Sequence, residues 1–311
     1  MRSLIKLVLG GFLLFFITSC IKQEGFTESI FVDIPENDPG SATYKLDKWL
    51  NDNYLVPYNV DFRYKLRDVN TDIDYNLVPT TFDQSVNLAI LIKYMWFDVY
   101  GKVVSPDFLK YYGVRIIQLI GSPGYIPGSD TETLGTADGG IEVTMYDSNA
   151  LTPNDLSLLN EKCFHVLHHE FGHILQQQKT TPAEFATYSA GAYDPQGWYN
   201  KTVTEAAQLG FVSTYASSAP TEDWVEVISY FIVRSDAEWQ AMLNVAGADG
   251  PVAPLTMKGD SIINLKLGLC RKYLSDSWGV DLDALHQEFQ SRMAHVNDYL
   301  TEGYNEINGE N

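Results

Sequence analysis

The sequence predicts an α+β fold: a small, mostly N-terminal sheet over one long helix, followed by a largely helical C-terminal part. Three observations predict it. Strand-like segments gather before residue 147, where Asn59 to Leu66 alternates with Val60, Phe62, Tyr64 and Leu66 on one side, and Val114 to Ile120 and Ile141 to Tyr146 are rich in β-branched residues. Residues 154–178 hold no proline and place Leu156, Leu159, Cys163, Val166, Leu167, Ile174 and Leu175 at helical spacing. Residues 235–300 read as helical throughout.

The first twenty residues are a targeting segment and stay outside the fold. Arg2 and Lys6 make a positive start, and Leu7 to Ile17 is an apolar stretch too short to span a bilayer. Ile17-Thr18-Ser19-Cys20 resembles a bacterial lipobox, which implies that Cys20 is lipidated and becomes the mature N-terminus. Residues 21–41 are polar, with Pro35, Asp38, Pro39 and Gly40, and read as a tether. Residues 42–311 are then one domain, with an N-terminal part (42–178) and a helical C-terminal part (179–311), long enough to bury a substantial core. Removing Arg2 and Lys6 from the 21 basic residues leaves 19 against 40 acidic ones, a net charge of −21. That balance argues against nucleic acid as a partner and against docking on anionic lipid.

Within the domain, Leu46, Trp49, Leu50 and Tyr54 share one face of a short amphipathic helix. Phe82 to Tyr100 is a long apolar helix suited to burial, and Ser105-Pro106-Asp107 starts another short one. Gly121 to Gly140, rich in Gly, Pro, Thr and Asp, reads as loop. The strand at 141–146 has two readings: an internal strand, or a sheet edge that pairs with extended substrate. After the 154–178 helix comes a short helix from Pro182, then the aromatic loop GAYDPQGWYN, whose Tyr193, Trp198 and Tyr199 either line a cleft or fill the core. In the C-terminal part Ser235-Asp236, Asp260 or Ser261, and Asp281 start helices, and His286 and His295 read as surface residues. Cys163 and Cys270 read as buried thiols, with a disulfide between them as the alternative in an exported chain.

The chemistry concentrates in His169-Glu170-Phe171-Gly172-His173, an H-E-x-x-H box. On a helix the two histidines lie one turn apart, about 40° in azimuth and roughly 6 Å in rise, so both rings reach one ion. Glu170 adjoins the first of them, where it can reach a water at the metal without itself binding; this pattern pairs two zinc ligands with a general base. A catalytic zinc site takes three protein ligands. Residues 211–233 offer the third on a helix that Pro220 suits at its first turn, with Ser217 or Ser218 as cap and Trp224, Val225, Ile228 and Phe231 as buried face. Glu222 is the first candidate and Glu226 the alternative, or else the carboxylate that orients a ligand imidazole. His165, one turn before His169, could pair with it instead, but no glutamate follows it. It reads as packed beside the site, and His168 as hydrogen-bonded scaffold.

The box followed by Tyr215, then Glu222 seven positions on and Glu226 four further, resembles the anthrax-lethal-factor type of gluzincin metallopeptidase. That resemblance implies a zincin-like fold with His169, His173 and Glu222 as ligands of one Zn2+, Glu170 as base and Tyr215 as the hydroxyl that assists the transition state. A longer resemblance, carried by residues 46–68, 121–128, 134–140 and 164–177, is to the zinc-binding metallopeptidase lipoproteins of Bacteroidota, typically encoded beside outer-membrane nutrient importers of the starch-utilisation type. It implies a lipid-anchored metallohydrolase at the outer membrane, with a peptide or glycopeptide as substrate and import proteins as neighbours. The alternatives are a zinc-binding accessory lipoprotein of such an importer without hydrolysis, and a hydrolase of some non-peptide amide in a glycan.

Overall fold

The computed structural model describes residues 38–66, 77–125, 132–133, 135–138 and 141–309. Cys20, the residues expected to be a targeting segment and most of those expected to be a tether lie outside them. In residues 38–41 Asp38 accepts hydrogen bonds from the amides of Gly40 and Ser41. Residues 42–311 form one compact unit.

Its sheet has four strands in the order β1 (Asp61–Arg63), β2 (Ile116–Leu119), β6 (Glu142–Met145), β5 (Gly135–Asp138). β1, β2 and β6 run parallel, with Phe62 beside Ile117 and Ile117 beside Val143; β5 runs antiparallel to β6. A separate two-stranded ladder joins β3 (Gly124–Tyr125) to β4 (Glu132–Thr133). The 121–140 stretch, expected to be loop, therefore carries three short strands. Pairing with β6 makes β5 a strand where Gly135-Thr136-Ala137-Asp138 has little strand propensity of its own, a tertiary override of local preference. It also settles the two readings of residues 141–146: β6 is internal, and its Val143 and Met145 are wholly buried, as are Ile117 and Leu119 of β2.

The long N-terminal helix runs from Phe82–Ile92 through a π turn, Lys93–Phe97, into Asp98–Val103, with Leu88 to Ile92 and Met95 to Phe97 buried. Thr81 caps it by accepting from the Gln84 amide. The 154–178 segment likewise comprises Leu156–Leu159, a π turn at Asn160–Phe164 and the histidine helix, His165–Gln178. Residues 235–300 are not helical throughout: the helices Asp236–Gly247 and Gly259–Tyr273 are separated by residues 248–258. Ser235 and Glu238 form a capping box at the first, and Asp281 caps Leu282–Met293.

His286 also departs from expectation. It is buried, with Nδ1 donating to the Phe231 carbonyl and Nε2 near Asp236, because the helix it rides packs against the end of the segment carrying Phe231. His295 is exposed, as expected. Cys163 and Cys270 are both buried free thiols. Among the described residues no helix is long and apolar enough to cross a membrane.

Candidate metal centre

Two helices build the site. The histidine helix packs along the glutamate helix, Pro220–Val233, and the two are in tight contact at Gly172: a Cβ there would stand 2.8 Å from Val225 Cγ1. A larger residue would push the helices apart. The far end is tied by Asn160, whose Nδ2 donates to the carbonyl of Val233. At the near end Pro220 occupies the first turn, which needs no amide donor there. Ala219, without a side-chain cap, is the flanking residue; the expected serine caps are not used, and the Ser217 hydroxyl donates to the Thr214 carbonyl instead.

Three side-chain atoms converge between the helices. Nε2 of His169 and Nε2 of His173 are 3.1 Å apart, and Oε2 of Glu222 lies 3.1 Å from the second and 3.3 Å from the first. Ligands held tetrahedrally at the usual zinc distances of roughly 2.0–2.2 Å stand about 3.3–3.6 Å apart, so the donor set fits one such ion with a face left open. Two imidazole nitrogens pointed at one another need a cation or a proton between them, and a metal ion meets that need.

The other ring nitrogens fix the tautomers. His169 Nδ1 donates to Glu226 Oε1 at 2.7 Å, and Glu226 accepts a further hydrogen bond from Ser213. That leaves His169 Nε2 to face the metal, the usual arrangement for a ligand histidine. His173 Nδ1 lies 2.6 Å from Gln176 Nε2; a His173 that gave Nε2 to a metal would carry its proton on Nδ1, and the amide would then turn its oxygen to accept it. Glu226 thus takes the orienting position and Glu222 the converging one. A second cluster, His165, His169 and Glu226, could also gather round an ion. In it, however, a single oxygen, Glu226 Oε1, serves both rings, 2.7 Å from His169 Nδ1 and 2.9 Å from His165 Nε2, and His165 lies stacked on Tyr230, 4.1 Å between ring centroids.

Burial and charge set the protonation. In the metal-free site burial alone would lower the His169 imidazole, but its bonds to Glu222 and Glu226 hold it up at about 10. For Glu222 burial is outweighed by the two imidazoles, which pull it down to about 2. Glu170 is buried beside these groups, and desolvation raises its carboxyl above the usual range against the pull of His169 and His173. Tyr215 stands with its ring 6.0 Å from that of His169; burial, then the charge and hydrogen bonding of Glu222, push its hydroxyl up, so it stays a donor. His168 is the scaffold residue expected: buried, bonded to the Tyr100 hydroxyl at 3.2 Å, and lowered to about 3 by desolvation and by His165.

Sequence reasoning missed Lys266 and Asp223. Lys266 is wholly buried in the helix Gly259–Tyr273 and reaches Asp223 Oδ2 at 2.6 Å and the Gly210 carbonyl at 2.8 Å. Tyr193 donates to the same carboxylate oxygen. This ion pair anchors the first turn of the glutamate helix one residue from Glu222. An isolated lysine in the apolar run Ile262–Cys270 was the only signal, and nothing local says which acid it meets.

The chain matches, over residues 40–283, the family described as "Putative zinc-binding metallo-peptidase". No curated protein matches it. It is similar to the crystal structure of a putative zinc-binding metallo-peptidase from Bacteroides caccae ATCC 43185, at 40% identity and a TM-score of 0.71, over 87% of this chain and 97% of that one. With two histidines of one helix and a glutamate of the helix packed along it around a single point, in a mixed fold shared with that structure, the chain belongs to this zinc-binding metallopeptidase family.

Proposed function

We propose that this protein is a lipid-anchored zinc peptidase of the gluzincin type, held at the outer membrane through Cys20 and working beside nutrient-import proteins. The observation that carries the catalytic part is the trio of ligand atoms 3.1–3.3 Å apart with a buried Glu170 next to them and not among them. His169, His173 and Glu222 would hold the ion, which when bound supplies a Lewis acid for the scissile carbonyl and an acidified water. Glu170, its carboxyl raised by burial, takes a proton as water attacks the carbonyl carbon and delivers it to the amine as the C–N bond breaks. Tyr215, protonated throughout, donates a hydrogen bond to the oxygen on which charge develops. Glu226 keeps the His169 ring in its tautomer.

The lipid anchor and location rest on the lipobox and on the Bacteroidota resemblance. Two experiments test the proposal. Digestion of a broad peptide and mucin-glycopeptide panel should stop on chelation and resume with added zinc; a zinc-loaded protein that cleaves nothing on the panel favours the accessory role. Cys20→Ala should leave the membrane fraction or fail to mature, and unmutated protein that fractionates as soluble without detergent contradicts lipidation.

A further inference from the structure

Of the six tryptophans in the chain, five (Trp49, Trp96, Trp224, Trp239 and Trp278) are buried in the core. The sixth, Trp198, is only partly buried and stands one ring removed from His169, with Tyr215 between them. Its ring meets Tyr215 edge-on at 5.0 Å, and Tyr215 in turn lies 6.0 Å from His169. On the outer side Tyr199 meets Trp198 at 5.8 Å, again edge-on, and is 62% exposed. Tyr215 itself is 39% exposed. A ladder of three rings therefore leads from the ligand histidine to solvent.

The loop that carries the ladder is held before any ligand arrives. The Asp194 amide donates to the Ser217 carbonyl at 2.7 Å, and Asp194 accepts from the amides of Gly197 and Trp198 and from Lys201. Tyr193, just upstream, is fixed on Asp223 at 2.7 Å. A loop backbone held this way loses little freedom on binding. Lys201 is paired within the loop, so the ladder offers π faces and apolar edges and no uncommitted ammonium. The partner such a surface recognises is an apolar ring or a branched side chain.

Resting on the peptidase reading, we propose that Trp198 and Tyr199 form a substrate subsite that takes an aromatic or large apolar side chain adjoining the scissile bond. The position follows from Tyr215: its hydroxyl serves the scissile carbonyl, and Trp198 packs on the same ring. Two hydroxamate probes test binding without any need for turnover, a phenylalanine dipeptide hydroxamate and its alanine counterpart. On the zinc-loaded protein the aromatic probe should bind about tenfold tighter or more, on the scale of ring–ring contacts plus buried area. Trp198→Ala combined with Tyr199→Ala should erase that advantage while zinc content and affinity for the alanine probe hold; Trp198→Phe should keep most of it. In turnover the double variant should raise KM for an aromatic peptide well beyond its effect on the alanine counterpart. Equal binding of the two probes by the unmutated protein, or a preference that survives in the double variant, overturns the subsite. An intact preference in a protein that cleaves no peptide supports the subsite and sinks the peptidase reading alone.

Discussion

Glu226 Oε1 lies 2.7 Å from Nδ1 of His169, and the contact dictates which nitrogen of that ring is left for a metal. One turn earlier on the same helix, Glu222 reaches the opposite nitrogen at 3.3 Å. Two carboxylates four residues apart thus grip one imidazole from both sides, one accepting from Nδ1 and one beside the nitrogen left for a metal.

Substitutions should separate these two carboxylates. His169→Ala, His173→Ala and Glu222→Gln should each abolish stoichiometric zinc, because two protein ligands do not make a site of this kind. Glu226→Gln should retain zinc with affinity reduced about 10–100-fold, the usual loss when an orienting partner is removed. Metal content after dialysis, with competition titration for the weaker variants, reads this directly. Zinc retained in Glu222→Gln and lost in Glu226→Gln would shift the ligand by one turn.

Zinc affinity should climb with pH. In the metal-free protein His169 is held at about 10, against burial, by Glu222 and Glu226. Because that value is raised above the ordinary ~6.5, the stabilisation from its carboxylate bonds is fully present below about pH 6.5 and fades as pH rises through about 10. Zinc needs the neutral ring, so uptake in between expels a proton and the apparent affinity should rise by up to about tenfold per pH unit. Calorimetric titrations in buffers of different ionisation enthalpy would show the released proton. An affinity flat between roughly pH 7 and 9 would mean that the metal-free ring is already neutral.

Helix spacing should matter as much as ligand identity. Gly172→Ala places a methyl 2.8 Å from Val225 Cγ1 and 3.1 Å from Val225 Cβ. Overpacking of this kind costs about 1–3 kcal/mol, more than the ~1 kcal/mol gained in helix propensity. Separating the helices also moves Glu222 away from the histidines, so zinc should bind about tenfold more weakly, roughly 1.4 kcal/mol. Val225→Ala in the same chain should restore it. Unchanged zinc affinity in Gly172→Ala alone would show that the contact does not set the ligand spacing.

The histidine helix was plain in the sequence because its apolar residues recur at a single period and the two ligands fall on one turn. Glu222 was legible because its helix opens with a proline and then buries Trp224, Val225, Ile228 and Phe231, which orients the acidic pair. What escaped depends on partners far along the chain. β5 exists through its ladder with β6, and His286 is buried because Phe231 belongs to another helix. Lys266 meets Asp223 across 43 positions. No local pattern encodes those pairings; only the packed tertiary structure brings the groups together.

The most direct test of the account is peptide cleavage by the zinc-loaded protein compared with Glu170→Gln at equal zinc content. Glu170 is placed to move the proton and not to bind the ion, so the variant should keep its fold and about one zinc while cleavage falls about 10²–10⁴-fold, the range for a lost general base. Cleavage by Glu170→Gln within a few-fold of the unmutated protein would contradict the account.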